Sequence, residues 1–132
     1  MKRLLALALA FVLVLLTACG DMPNTIDLDS ANNGVSLEVT VGETINITLD
    51  SNVTTGYKWN LVGEPDAKVL KLLSSQYVEP TTSNPPVVGV GGKEVWKFQT
   101  VGRGTTSLKL SYFRPFDPSQ VAKEFSATFV VQ

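Results

Sequence analysis

An immunoglobulin-like antiparallel β-sandwich of about seven strands is the fold this sequence predicts, on three observations. From residue 34 onward, short runs alternate apolar and polar residues, the two-residue period of a half-buried strand. Turn residues separate the runs at fairly regular spacing, as in an all-β domain. Nothing in the chain supplies the long helices that a parallel sheet requires. A small β-barrel is the structural runner-up, and there is no Cys-Trp-Cys signature of an antibody-type domain.

The first 18 residues read as an export signal. Lys2 and Arg3 give a positive start, an apolar run follows from Leu4 to Leu16, and small residues close it. The run falls short of the roughly 20 residues a spanning helix needs. Leu16-Thr17-Ala18-Cys19 resembles a bacterial lipobox, which implies cleavage before Cys19 and lipid on its sulfur. Gly20 at the second position fits outer-membrane sorting in a Gram-negative cell. Several acyl chains, each contributing about 0.8 kcal/mol per buried methylene, would anchor the protein stably. Cys19 is the single cysteine, so lipidation leaves no thiol or disulfide and the fold must rest on its apolar core.

Without Lys2 and Arg3, nine of the eleven basic residues remain against twelve acidic ones, a net charge of −3. The cations are scattered, which argues against a nucleic-acid footprint. The 114 residues from Cys19 to Gln132 suffice for one domain and not for two. Residues 19–33, rich in Asp and Asn, are expected to be mostly a tether, holding the domain roughly 20 Å from a membrane. The alternative is an extra strand around Ile26 and Leu28. The sandwich domain is placed at 34–132.

Within it, Val35, Leu37, Val39 and Val41 form the first stripe, and Ile45, Ile47 and Leu49 resume it after Gly42-Glu43. Tyr57, Trp59 and Leu61 make a third run. Val69 to Glu79 is ambiguous: VLKLLSS suits a helical turn, whereas Gln76-Tyr77-Val78 is extended in character. Val95–Val101 and Ser107–Tyr112 alternate on either side of Gly102-Arg103-Gly104, and Phe125, Ala127, Phe129 and Val131 close the chain. Trp59, Trp96, Phe98 and Phe129 fall on strand-period positions and are read as core.

Three connections exceed what a hairpin needs: Asp50–Gly56, the Pro- and Gly-rich residues 80–92, and residues 113–123. Loops of that length persist mostly where they have a function. The chain has no histidine, which removes the commonest general base and a common zinc ligand. No partner is evident to activate a serine or threonine. A carboxylate pair such as Asp50 with Glu94 is conceivable, but scattered carboxylates are usually solvated surface. The composition therefore favours binding through shape and backbone groups over catalysis, with no cofactor.

Three motifs then stand together. Asn52-Val53-Thr54-Thr55-Gly56-Tyr57 resembles the NPTTGY-type loop of the chagasin family, inhibitors of papain-like cysteine proteases. Gly89-Val90-Gly91-Gly92 resembles that family's GxGG loop, and Arg114-Pro115-Phe116 its RPW-type loop. The resemblance runs from about Val35 to the C-terminus. It implies an immunoglobulin-like sandwich whose three neighbouring loops fill a protease's active-site cleft, without cleavage or covalent bond. By motif position, Thr54 and Thr55 would sit over the catalytic cysteine. Gly91 and Gly92 would offer backbone to one wall of the cleft, and Arg114 with Phe116 would press on the other.

Two positions depart from the pattern. Val53 stands where proline is expected, which loosens the unbound loop and predicts somewhat weaker or slower binding. Phe116 in place of tryptophan gives a smaller stacking face without an indole N–H, which predicts a change in the protease preferred. The expected partner is a papain-like cysteine protease, of the cell or of a host, met by a monomer held to the envelope through its N-terminal lipid. The competing reading is an envelope lipoprotein that binds a carbohydrate or another envelope protein without inhibiting anything.

Overall fold

The computed structural model describes residues 23–81, 84–85 and 87–132. Eight strands form two four-stranded sheets. In chain order they are β1 (Thr25–Leu28), β2 (Val35–Val39), β3 (Thr44–Ser51), β4 (Lys58–Gly63), β5 (Leu70–Val78), β6 (Gly92–Thr100), β7 (Gly104–Phe113) and β8 (Lys123–Val131). One sheet has the order β1-β3-β6-β5, the other β2-β8-β7-β4.

The alternating runs become strands because each buries one face. Ile45 and Ile47 of β3 pair in register with Phe98 and Trp96 of β6, and with Leu49 they share the core with Leu108, Leu110, Phe125, Ala127 and Phe129 of the opposite sheet. Ile45, Ile47, Phe98, Leu110 and Phe129 are fully buried. All four aromatics assigned to the core lie in it. Val69–Glu79 resolves to a strand, β5, interrupted by a bulge between Leu72 and Ser74. β5 is an edge strand in which only Leu70 is buried, so no two-residue period marks it in the sequence.

Two expectations are corrected. The segment 19–33, expected to be mostly tether, contains β1 and a 3-10 turn at Ser30–Asn32 capped by Asp29. Leu28 is buried, and Asn46 donates to Asp27 across the pair. The strands number eight, beside the expected seven or so. Nor is the sandwich wholly antiparallel: β1 runs parallel to β3 and β2 parallel to β8. Alternation reports which face is buried and carries no information on strand direction, so this could not be read from the pattern. Cys19 and the export signal lie outside the described residues.

The topology gives the molecule two poles. β3, β5 and β7 end at one pole, and β4, β6 and β8 begin there, so the three long connections emerge together. The turns at residues 40–43, 64–69 and 101–103 gather at the other pole.

Candidate functional site

The first loop is built by Asn52. Its side chain accepts from the Thr54 N–H (3.2 Å) and from the Thr54 hydroxyl (2.6 Å), while its carbonyl accepts from the Thr55 hydroxyl (2.6 Å). This is N-capping of a single 3-10 turn, Val53–Thr55. Gly56 ends the turn at φ 79°, ψ −4°, a left-handed conformation that β-branched residues avoid. Both threonines are exposed, yet both hydroxyl protons serve the turn itself. Thr54 and Thr55 thus present a rigid outer surface rather than free hydroxyl donors.

The third loop is a tight turn. Asp117 N–H donates to the Arg114 carbonyl at 2.8 Å, with Pro115 at the corner its fixed φ suits. Phe116 is thrown to the tip and is 79% exposed. Arg114 turns inward instead. Its guanidinium lies 4.6 Å above the Tyr57 ring and its Nε donates to the Thr55 carbonyl at 3.1 Å. Arg114 therefore ties the third loop to the first, and Pro115 and Phe116 face solvent.

The second loop joins through Asn52, whose amide donates to the Gly89 carbonyl at 3.2 Å. Gly89 has φ 84°, and Val87, Val88 and Val90 are exposed, Val88 almost completely. The two glycines expected to offer backbone part company. Gly91 is exposed, whereas Gly92 is buried at the start of β6, paired with Ser51. A Cβ on Gly92 would fall 2.2 Å from the Val78 carbonyl oxygen, so that glycine admits the neighbouring strand rather than a partner. Thr82, Ser83 and Pro86 of this loop lie outside the described residues.

Beneath the loops stands a column of aromatics. Tyr57 stacks on Tyr112 at 5.3 Å and Trp59 meets Tyr112 at 5.2 Å. The Tyr112 hydroxyl accepts from the Asn52 N–H at 2.9 Å. Tyr112 was not among the residues singled out from the sequence, although its place at the end of an alternating run next to Arg114 could have indicated it.

The supposed carboxylate pair does not form. Adjacent strand positions face opposite ways, so Glu94 points into the sandwich and Asp50 points out beside Lys93. The hydrogen bond from Lys93 holds the Asp50 carboxyl below its usual range, and the Lys93 charge adds to the effect. A depressed carboxyl contributes stability that is present above the ordinary carboxylate pKa and fades as the pH falls through the lowered value. Both partners are more than half exposed, so Lys93→Met is expected to cost less than about 0.5 kcal/mol at neutral pH. Urea titrations of parent and variant at neutral and acidic pH check this.

Val53 occupies the first position of the 3-10 turn, where proline is favoured because its missing N–H is not needed. The Asn52 cap bonds the N–H of Thr54, not of Val53, and Asn52 is extended at φ −127°, as a residue before proline must be. Val53→Pro is therefore expected to raise stability by about 0.4–1 kcal/mol through the unfolded chain and to tighten binding by this pole. Denaturation midpoints and an inhibition constant measure the two effects.

The site is thus a set of three loops, cross-tied by Asn52 and Arg114 over an aromatic column, with valines and one phenylalanine presented to solvent. The pattern described as Chagasin family peptidase inhibitor I42 matches residues 38–131. Chagasin of Trypanosoma cruzi is 33% identical over 100 residues, covering 73% of this chain and 88% of the relative. The crystal structure of a cysteine protease inhibitor from Entamoeba histolytica superposes with a TM-score of 0.72 at 24% identity, covering 83% of this chain and 96% of that one. The solution structure of amebosin gives 0.67 at 28% identity, covering 84% and 100%. The family match takes in β3 to β8 and every loop of the pole just described, and the chain belongs to the chagasin family of peptidase inhibitors.

Proposed function

We propose that the chain is a reversible, non-covalent inhibitor of papain-family cysteine proteases, acting by filling the active-site cleft with its three-loop pole. One observation carries this reading most: large apolar side chains, Phe116 and Val88 foremost, stand exposed on loops whose backbones are fixed by side-chain hydrogen bonds. Exposed apolar groups mark interaction sites, and fixing them beforehand lowers the ordering cost of binding. The Entamoeba histolytica protein described above bears the name of a cysteine protease inhibitor. Three such loops suit a standard interface of about 800 Å² per partner.

In this reading Phe116 is the apolar anchor and Thr54-Thr55 the blunt tip that occupies the catalytic centre. The exposed backbone from Gly89 to Gly91 pairs with a wall of the cleft as an added strand would. The chain works as a monomer: the free edge of β5 carries a bulge and Lys71, devices that discourage edge-to-edge association. Lipid on Cys19 holds the inhibitor to a bacterial membrane, facing the periplasm or the exterior.

Titrating residues 20–132 against a panel of papain-like proteases tests the inhibition. The expected result is stoichiometric loss of peptide hydrolysis with the inhibitor recovered uncleaved. No inhibition at micromolar concentration across the panel would overturn it in favour of a non-inhibitory binding module. Metabolic labelling with palmitate, in parent and in Cys19→Ala, tests the anchor separately.

A further inference from the structure

Glu94 is a carboxylate in the wrong place for a solvated surface group. It sits on the inward face of β6 and is only 7% exposed. No cation pairs with it among the described residues; the ion pairs there are Lys93–Asp50 and Lys109–Glu124. A buried carboxylate is tolerated only where donors satisfy it. Both of its donors are neutral and both reach the same atom. The Ser51 hydroxyl donates to Glu94 Oε1 at 2.7 Å and the backbone N–H of Trp59 donates to it at 3.1 Å.

Those two donors flank one segment. Ser51 is the last residue of β3 and Trp59 lies at the start of β4, so everything between them is the first loop and its root. The loop leaves one sheet and enters the other, so nothing in either strand ladder fixes the distance between its ends. β4 is an edge strand, and its N–H groups on the side away from β7 have no ladder partner. Glu94 Oε1 supplies one and closes the neck. Two further bonds brace the same neck, from Trp59 Nε1 to the Asp50 carbonyl (3.0 Å) and from Asn52 N–H to the Tyr112 hydroxyl (2.9 Å). Glu94 also lies two residues beyond Gly92, on the strand into which the second loop runs. Glu94 Oε1 thus joins the root of the first loop to that of the second, beneath the Asn52–Gly89 bond that ties their tips.

We propose that Glu94 is a positioning residue for inhibition: it touches no protease and acts by holding the threonine turn at the height and angle at which it enters the cleft. This rests on the wedge reading of the pole. Without the bracket, the loop samples other positions and only a fraction of molecules can bind, which lowers apparent affinity by that fraction. The loss falls on association, since a complex once formed makes the same contacts.

The test compares Glu94→Ala, Glu94→Gln and Ser51→Ala in the purified full chain, by hydrogen exchange and by inhibition kinetics with papain. Glu94→Ala should speed exchange in the segment 52–58 by about tenfold, the usual scale for removing a buried bond to a charged group, and leave 125–131 unchanged. It should slow association by a similar factor. Glu94→Gln keeps an oxygen acceptor in place and should restore both quantities to within about twofold of the parent. Ser51→Ala, which leaves the carboxylate untouched, should give a smaller rise confined to the same segment and covers the case in which Glu94→Ala does not fold. Unchanged exchange in 52–58, or faster exchange spread equally over the core, overturns the proposal. If the parent inhibits no protease, the wedge reading fails while the exchange data still decide whether Glu94 brackets the loop.

Discussion

Combining Thr54→Ala, Gly91→Glu and Phe116→Ala will abolish inhibition while leaving the fold intact. All three residues are exposed, and none contributes to the buried core. Phe116→Ala removes the projecting anchor, a type of residue whose truncation costs roughly 2–4 kcal/mol at an interface. Gly91→Glu places a charged side chain where the second loop must approach the cleft wall closely. Thr54→Ala removes both the tip and a 2.6 Å hydrogen bond that holds it. Together the three should weaken binding by at least about a thousandfold. Thermal denaturation should shift by only a few degrees, because surface substitutions away from structural features move stability little. A triple variant that inhibits papain as well as the parent does would remove the pole from the mechanism.

Gly92→Ala should do the opposite, damaging the fold first. A Cβ there would meet the Val78 carbonyl at 2.2 Å and the Tyr77 hydroxyl at 2.6 Å. The first is backbone, held in the ladder by Lys93 opposite Val78, so it cannot yield without displacing β5 from β6. A loss of about 2–4 kcal/mol is expected, comparable to other forced distortions of a packed interior, and urea denaturation would measure it. Gly91→Ala is the control: its Cβ would lie 3.1 Å from the Ser51 carbonyl oxygen and 3.3 Å from Asn52 Cβ, contacts that relax by a few tenths of an ångström. Equal stability of the two variants would refute the division of the motif into one contact glycine and one packing glycine.

The sequence made most of the fold legible because burial imposes a two-residue period wherever one face is covered. Val35–Val39, Thr44–Ser51 and Lys123–Val131 declare themselves in this way. The same logic fails at β1, where a four-residue strand carries one buried side chain, Leu28, too few for a period to emerge from an Asp- and Asn-rich background. It also fails at β5, an edge strand in which only Leu70 is buried.

The pole was legible to a different depth. Its three motifs mark the loops correctly as a cluster, since strand order brings their roots together. They do not distinguish residues that face outward from those that hold the cluster closed. Gly92 reads as a contact residue and is buried, while Arg114 is half-buried and bound to the first loop. The bracing roles of Tyr112 and Glu94, which lie in ordinary alternating strands, go unmarked because they depend on partners 35 to 60 residues distant in the chain that no local pattern can supply.

The parallel pairing of β1 with β3 fixes more than a register. Thr25 lies opposite Thr44 and Leu28 opposite Ile47, so the chain enters at the pole remote from the loops and climbs toward them. Eight residues of β3 at about 3.4 Å each separate that entry from the root of the first loop. Whatever precedes Asn24 is therefore fastened to the base of the molecule. For a chain held by lipid at Cys19, the five residues to Asn24 allow at most about 18 Å of slack. The domain then stands upright like a bollard on a quay, its working end turned away from the bilayer. An inhibitor so held would meet soluble proteases arriving from the space in front of the membrane, while enzymes embedded in its own bilayer would pass beneath its reach.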